Sequence, residues 1–161
     1  EFFWDKDTDH LWLLEINTRI SQSHCYLFEM VDGVPSHKIP LDVALDKFPE
    51  LPYRKGRYNT AGKMLLRSFH NGKVTKAPDE QRLKQLEQKY PDVKFKHTVT
   101  KGMELSDLPF QDSYSFVLSI IYMAADSHDQ LEDKFDKICK ELDIEIDNEK
   151  QLSKHRRKTC V

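Results

Sequence analysis

The sequence is poor in the features that mark specialised classes of protein. Its three cysteines are odd in number and widely spaced, so they suggest neither a zinc site nor a disulfide framework, which fits a reducing cytosol. No apolar run approaches the roughly 20 residues of a membrane-spanning helix, and no signal peptide is visible. The net charge of −2 argues against a dedicated nucleic-acid-binding protein. We therefore expect a cytoplasmic protein that binds neither nucleic acid nor membranes.

The remaining composition is that of an ordinary globular protein, with 39% hydrophobic and 32% charged residues. A chain of 161 residues suffices for one domain or two small subdomains. It has no initiator methionine, and Glu1 precedes an apolar stretch, Phe2-Phe3-Trp4. We therefore expect a C-terminal fragment whose partner is the missing N-terminal part of the same chain.

Residues 1–58 begin with a strand pattern and continue with a helical one. Two apolar runs flank Asp5-Lys6-Asp7-Thr8-Asp9, which predicts a β-hairpin that ends near Ile16. Helical spacing then predicts two short helices, near 24–31 and 36–46. Their candidate core residues are Leu27, Phe28, Val31, Ile39, Val43 and Leu45. Prolines and a glycine mark residues 47–58 as a linker.

From residue 59 the hydrophobic pattern changes to a period of two, which predicts strands. Asn71-Gly72 predicts a tight hairpin whose second strand is Lys73 to Lys76. Val93 to Val99 alternates as a half-buried strand does. Tyr114 to Tyr122 is the most hydrophobic strand and is expected at the centre of the sheet. Residues 59–146 are therefore expected to form one mixed or antiparallel sheet.

Two longer helices are expected to pack on this sheet, over 79–90 and 127–142. Ser127 and Gln130 form a capping-box pattern at the start of the second helix. Its predicted buried stripe is Leu131, Phe135, Ile138 and Leu142. Residues 147–161 carry few apolar side chains and predict a tail or a loosely docked helix. The whole order of strands and helices predicts the α+β class.

Polar side chains gather where the first hairpin ends. Glu15 and Asn17 are two residues apart, so on an extended chain they point to the same face. Their oxygens suit a hard cation such as Mg²⁺, and Arg19 can hold an anion in a planar fork. An antiparallel pairing could bring Glu1 near Glu15, although a solvated chain end is the alternative for Glu1. A metal ion beside a guanidinium suits a reaction on phosphate, whose charge develops on oxygens.

The segment from Glu15 to His24 resembles the end of an ATP-grasp domain, most closely in the biotin-carboxylase branch. Further segments are similar to that family in the same order and spacing, over residues 1 to 146. These segments are Glu1-Phe2-Phe3, Gly62 to Arg67, Gly72-Lys-Val-Thr and Gln111-Asp112-Ser113. The resemblance implies the end of an ATP-grasp catalytic domain over 1–46 and a biotin-carboxylase C-terminal-like subdomain over 59–146. The tail expected over 147–161 lies beyond the resemblance.

The resemblance also implies cofactors and roles. The cofactors would be ATP and Mg²⁺ or Mn²⁺. Glu1 and Glu15 would bind the metal ions between the nucleotide phosphates, with help from Asn17. Arg19 would stabilise the acyl or carboxyl phosphate, and Arg67 would reach the second substrate. The family's nucleotide-binding lysines and glycine-rich lid precede this segment, so the fragment alone is not expected to turn over ATP.

One departure from the carboxylases bears on the reaction. The family's glutamate before the final histidine acts on bicarbonate as a base, and Ser23 occupies its position here. A serine hydroxyl cannot take that role at neutral pH without a base of its own. We therefore expect a ligase that activates a small-molecule carboxylate as an acyl phosphate for attack by an amine or similar nucleophile. The alternatives are a bicarbonate-using biotin carboxylase subunit and a non-catalytic interaction domain; a homodimer is also left open.

The residues around His24 have plainer interpretations as well. We expect the imidazole to be a helix cap or a packed ring, and Ser21 and Ser23 to be turn or cap residues. A catalytic pair of His24 with Cys25 is not favoured, because adjacent residues on a helix do not face each other.

Overall fold

The computed structural model describes residues 1–21, 23–109, 111–147 and the strand 158–160, and it confirms the α+β class. The strands are β1 (Phe2–Asp5), β2 (His10–Leu13), β3 (Thr60–Ser68), β4 (Val74–Lys76), β5 (Lys94–His97), β6 (Phe116–Ala125), β7 (Glu145–Ile146) and β8 (Lys158–Cys160). The helices are α1 (Cys25–Asp32), α2 (Lys38–Ala44), α3 (Glu80–Lys89) and α4 (His128–Leu142), with a 3-10 turn at Leu105–Asp107. Within these described ranges, no helix has the length and apolar character needed to cross a membrane.

The main sheet has the antiparallel order β5-β6-β3-β8. The predicted central strand is β6, which pairs with β5 on one side and β3 on the other, so its central place is confirmed. Its predicted start at Tyr114 is wrong. An isolated bridge between Asp112 and Ser115 closes a turn there and leaves Tyr114 exposed.

The hairpin predicted at Asn71-Gly72 is wrong, because β4 pairs with β7 rather than with β3. The two turn residues hold the 3-10 segment instead. The Gly72 carbonyl oxygen accepts a hydrogen bond from the Leu105 backbone N–H at 3.0 Å. Asn71 Oδ1 accepts one from the Ser106 backbone N–H, also at 3.0 Å. Long-range contacts therefore override the local turn preference.

Helix α4 covers one face of the main sheet through its predicted stripe. Leu131, Phe135, Ile138 and Leu142 are all buried, as their helical spacing predicts. Ser127 Oγ accepts the Gln130 backbone N–H at 3.3 Å, which confirms the N-cap. Lys134 ties the helix to its surroundings, because its Nζ contacts the Asp92 carboxylate and lies 3.0 Å from the Ala124 carbonyl oxygen.

Helix α1 packs on the opposite face of the same sheet, where Leu27 and Met30 contact Ala61 and Ala124. The residues of α1 expected in the core are only partly there: Leu27 is buried, whereas Phe28 is exposed. Helix α2 is present as predicted, but its expected core is wrong at Val43 and Leu45, which are exposed. Ile39 is half-buried, and the buried residue of the helix is Asp42. Asp42 faces inward with its carboxylate paired to Lys38.

Residues 47–58 form neither helix nor strand, and they contact α1 closely. Gly56 donates its backbone N–H to the Val31 carbonyl oxygen at 2.8 Å. A Cβ at position 56 would lie 2.3 Å from the Met30 carbonyl oxygen, so only glycine fits. Of the predicted tail, residues 148–157 and 161 lie outside the described residues. The expectation of a tail or helix is wrong for 158–160, which form β8 on the edge of β3.

Candidate functional site

The β1–β2 hairpin carries apolar side chains on both of its faces. Phe3 pairs with Trp12 on one face, and the flanking pairs Phe2–Leu13 and Trp4–Leu11 lie on the other. Each of these six side chains is at least 54% exposed. Strands that are apolar on both faces are typical of sheets covered on both sides. A two-stranded hairpin has little stability alone, so this surface is suited to a further layer of protein.

The hairpin brings Glu1 and Glu15 together through their backbones. The backbone nitrogen of Glu1 donates to the Glu15 carbonyl oxygen at 2.6 Å, and the Leu14 backbone N–H donates to the Glu1 carbonyl oxygen at 2.9 Å. Since Phe2 pairs with Leu13, the next step of the register sets Glu1 opposite Leu14. The two glutamates are therefore neighbours, but they are not direct cross-strand partners. A metal site shared by their carboxylates stays a prediction.

Glu15 and Asn17 are in direct contact, as their two-residue spacing suggests. Asn17 Nδ2 donates a hydrogen bond to Glu15 Oε1 at 2.8 Å, and both residues are exposed. This bond uses neither Asn17 Oδ1 nor Glu15 Oε2. Both are hard oxygen ligands of the kind that Mg²⁺ prefers. The pair therefore fits a divalent cation in its chemistry, and Arg19 is exposed on the same loop.

The described side chains around Glu15 and Asn17 do not provide a complete set of metal ligands. Across the part of the chain that the structure describes, no three His, Cys, Asp or Glu residues are grouped to hold a metal ion. A site built on Glu15 and Asn17 would therefore need oxygens from elsewhere. Nucleotide phosphates and water are the usual source of such oxygens for Mg²⁺.

Arg67 lies on β3 and is engaged by two residues that the sequence did not assign to it. Its Nη1 contacts the Asp112 carboxylate and donates to Ser115 Oγ at 2.6 Å. Its side chain is only 15% exposed. The hydrogen bond and the charge of Arg67 lower the pKa of Asp112 below its usual value. The guanidinium is therefore neutralised by a carboxylate of the protein itself.

A cleft of about 400 Å³ opens beside this ion pair. Its lining residues are Phe69, Gln111, Asp112, Ser113, Tyr114, Ser115 and Phe116. Arg67 borders it through Asp112 and Ser115, which are 45 and 48 residues away in the sequence. No local spacing could have identified Ser115 as part of this group.

The assigned residues thus fall into two groups in their contacts. At the end of the hairpin, Glu15 contacts Glu1 through the backbone and Asn17 through its side chain. Arg19 lies on the same loop. Arg67 contacts Asp112 and Ser115 on the main sheet instead. Ser21 and His24 form a further contact that the sequence did not suggest, with Ser21 Oγ 2.8 Å from His24 Nδ1.

Comparisons of the chain with protein-family models, with curated proteins and with solved structures found no match. The hairpin end offers oxygen ligands and a guanidinium on one loop, whereas the cleft beside Asp112 offers a charged pocket.

Proposed function

We propose that the chain is the C-terminal part of an ATP-grasp ligase that depends on Mg²⁺ or Mn²⁺. The observation that carries this proposal is the contact of Asn17 Nδ2 with Glu15 Oε1, at 2.8 Å, on an exposed loop that also presents Arg19. Such a ligase uses ATP to convert a carboxylate into an acyl phosphate, which a nucleophile then attacks. That reaction needs cations around phosphate oxygens, and this loop has the residues for it.

Glu15 and Asn17 would hold the metal ion, with Glu1 as the second carboxylate. A bound Mg²⁺ would neutralise charge that develops on the phosphate oxygens. Arg19 would bind the same phosphate through its planar fork of N–H donors. The loop is exposed, so a nucleotide could reach these side chains without disturbing the core.

The exposed hairpin supports a partner that completes the nucleotide site. Its two apolar faces are typical of strands inside a larger sheet. We propose that the N-terminal part of the same protein covers them and supplies the lysines and the lid that hold ATP. The 161-residue chain would then bind no nucleotide productively by itself.

The cleft beside Arg67 is the proposed site of the carboxylate substrate. Its volume of about 400 Å³ lies within the range of small-molecule sites. The lowered pKa of Asp112 keeps that carboxyl charged at neutral pH and paired with Arg67. An anionic substrate would displace Asp112 and take over the guanidinium, which would make binding selective for groups that replace both charge and hydrogen bonds.

The residue at position 23 favours an organic carboxylate over bicarbonate. Ser23 Oγ contacts Ser21 Oγ at 3.3 Å, and a pair of hydroxyls is no substitute for a carboxylate base. Biotin carboxylation is therefore expected to be weak or absent. An amine or a similar nucleophile is the proposed acceptor.

The test uses the full-length protein. ATP hydrolysis with Mg²⁺ is measured with a panel of carboxylic acids and amino acids, and separately with bicarbonate and biotin. Glu15→Gln should keep the fold and lose most Mg²⁺-dependent activity, whereas Glu50→Gln, an exposed glutamate of the 47–58 segment, should keep it. Strong turnover with biotin and bicarbonate would indicate a carboxylase. The absence of any nucleotide binding would contradict the proposal altogether.

A further inference from the structure

The loop before α1 gathers nucleophilic side chains apart from the Glu15–Asn17 pair. Ser21 Oγ lies 2.8 Å from His24 Nδ1 and 3.3 Å from Ser23 Oγ. All three residues are half-buried. A serine hydroxyl within hydrogen-bond reach of an imidazole is the arrangement that activates serine as a nucleophile.

The folded core holds this loop in place. The Ser21 carbonyl oxygen accepts hydrogen bonds from the His24 backbone N–H at 3.1 Å and from the Cys25 thiol at 3.0 Å. Cys25 is itself buried, and its sulfur accepts a hydrogen bond from Ser36 Oγ at 2.8 Å. The backbone of Ser21 is therefore anchored to the start of α1. Such support is what keeps a nucleophile and its base in register.

The imidazole of His24 contacts the Ser21 hydroxyl and does not cap the helix. His24 stands at the N-cap position of α1, but its side chain makes no capping hydrogen bond. The expectation that this side chain caps the helix is therefore wrong. The ring is left available to accept the proton of Ser21 when its own proton is on Nε2.

The start of α1 adds a stabilising field for the reaction. The first backbone N–H groups of a helix have no partner within the helix and carry partial positive charge. Cys25 begins α1 directly after His24, so the N-terminus of the helix follows the pair in the chain. Donors of this kind stabilise the oxyanion that forms when a hydroxyl attacks an acyl group.

We propose that Ser21 is a nucleophile activated by His24, and that it accepts acyl groups from activated esters or acyl phosphates. Ser21 Oγ forms a bond to the acyl carbon while its proton moves to His24 Nδ1. The bond between the acyl carbon and the leaving phosphate or phenolate oxygen then breaks, and the leaving group departs with the bonding electron pair. His24 gives up the proton to the leaving group or to water. Water or an amine later releases the acyl group and restores the hydroxyl. The inference does not depend on the ATP-grasp proposal, because every group it uses lies within residues 21–36.

The test uses the 161-residue chain and a fluorophosphonate probe, which reports on activated serines. The Ser21 oxygen displaces fluoride from phosphorus and leaves a stable adduct. We expect peptide mass spectrometry to find one adduct, on Ser21. Ser21→Ala should remove it, and His24→Gln should slow labelling by about 100-fold, in line with the loss of a general base. With p-nitrophenyl acetate the unmodified chain should release a burst of one equivalent of p-nitrophenolate.

Matched controls separate chemistry from folding. Ser106→Ala and His70→Gln change an exposed serine and an exposed histidine far from the loop, and both should label at the rate of the unmodified chain. Because the adduct is located in the unmodified chain, the test does not depend on whether the variants fold. An adduct on another residue, or no adduct, would overturn the proposal. Equal labelling of His24→Gln would overturn the role of His24.

Discussion

Arg67 and Asp112 form an ion pair across 45 residues of sequence, and Ser115 Oγ lies 2.6 Å from the same guanidinium nitrogen. The pair joins β3 to the turn that precedes β6. In the cleft proposed for the substrate, an anion would have to compete with the Asp112 carboxylate for Arg67. Asp112 is therefore the side chain at which stability and the proposed binding can be tested together.

The Arg67–Asp112 pair should make the folded state less stable as the solution becomes acidic. The pKa of Asp112 is lowered in the folded state by the hydrogen bond and charge of Arg67. The contribution of the ion pair to the free energy of unfolding is therefore complete when the pH is above the Asp112 pKa of the unfolded chain, about 3.9. It is lost as the pH falls through the lower pKa of the folded state. Urea unfolding of the wild type and of Asp112→Asn should show a difference at pH 6 that shrinks towards pH 2. Asp107→Asn is the control, and a constant difference across this range would contradict the role of Asp112.

His97 should give a second pH dependence, near neutrality. Burial lowers the pKa of His97 by more than the nearby Val99 backbone raises it. Both ring nitrogens are shielded from solvent. The unfolded chain therefore binds a proton more readily, so stability should fall as the pH drops below about 6.5. His97→Phe should flatten this dependence between pH 7 and 5, whereas His70→Gln should leave it unchanged. Unfolding free energies measured over that range check the prediction.

The α4 stripe should account for a large part of the stability. Phe135 is fully buried between the helix and the sheet, so Phe135→Ala should reduce the free energy of unfolding by about 3–5 kcal/mol. Lys137→Ala, on the exposed side of the same helix, is the control for helix propensity. Denaturant unfolding measures both. A small loss for Phe135→Ala would mean that this face of α4 is not packed as described.

The contact of Lys134 with Asp92 should stabilise the packing of α4 against the segment that follows α3. Lys134→Met removes a charged hydrogen-bond donor from Asp92 and from the Ala124 carbonyl oxygen, so it should cost about 1.5–3 kcal/mol. The double change Lys134→Met with Asp92→Leu should recover part of that loss, because no unpaired carboxylate remains. A double-mutant cycle by urea unfolding measures the coupling, and simple additivity would contradict it.

Tryptophan fluorescence should show whether the proposed N-terminal part covers the hairpin. The 161-residue chain has two tryptophans, Trp4 and Trp12, and both lie in the hairpin and are more than half exposed. In the 161-residue chain their emission should be that of water-exposed indole and be readily quenched by acrylamide. In the full-length protein the emission should shift to shorter wavelength. Identical spectra in both would show that nothing covers the hairpin.

The features that the sequence determined by itself are local ones. The stripe from Leu131 to Leu142 follows from helical spacing, and the Ser127 cap needs only a backbone N–H three residues away. The contact of Glu15 with Asn17 follows from a two-residue spacing on an extended chain. Each of these needs information from a few neighbouring positions, which periodicity carries.

Which distant parts of the chain meet depends on the packing of the whole fold. β4 pairs with β7 although a strong turn signal favoured β3, and Arg67 meets Asp112 rather than remaining free for a ligand. The apolar residues Val43 and Leu45 stay exposed while Asp42 turns inward. Strand partners and ion pairs depend on the free energy of the whole packed core, in which one long-range contact displaces another. No local pattern encodes that competition, because each segment alone satisfies several pairings equally well.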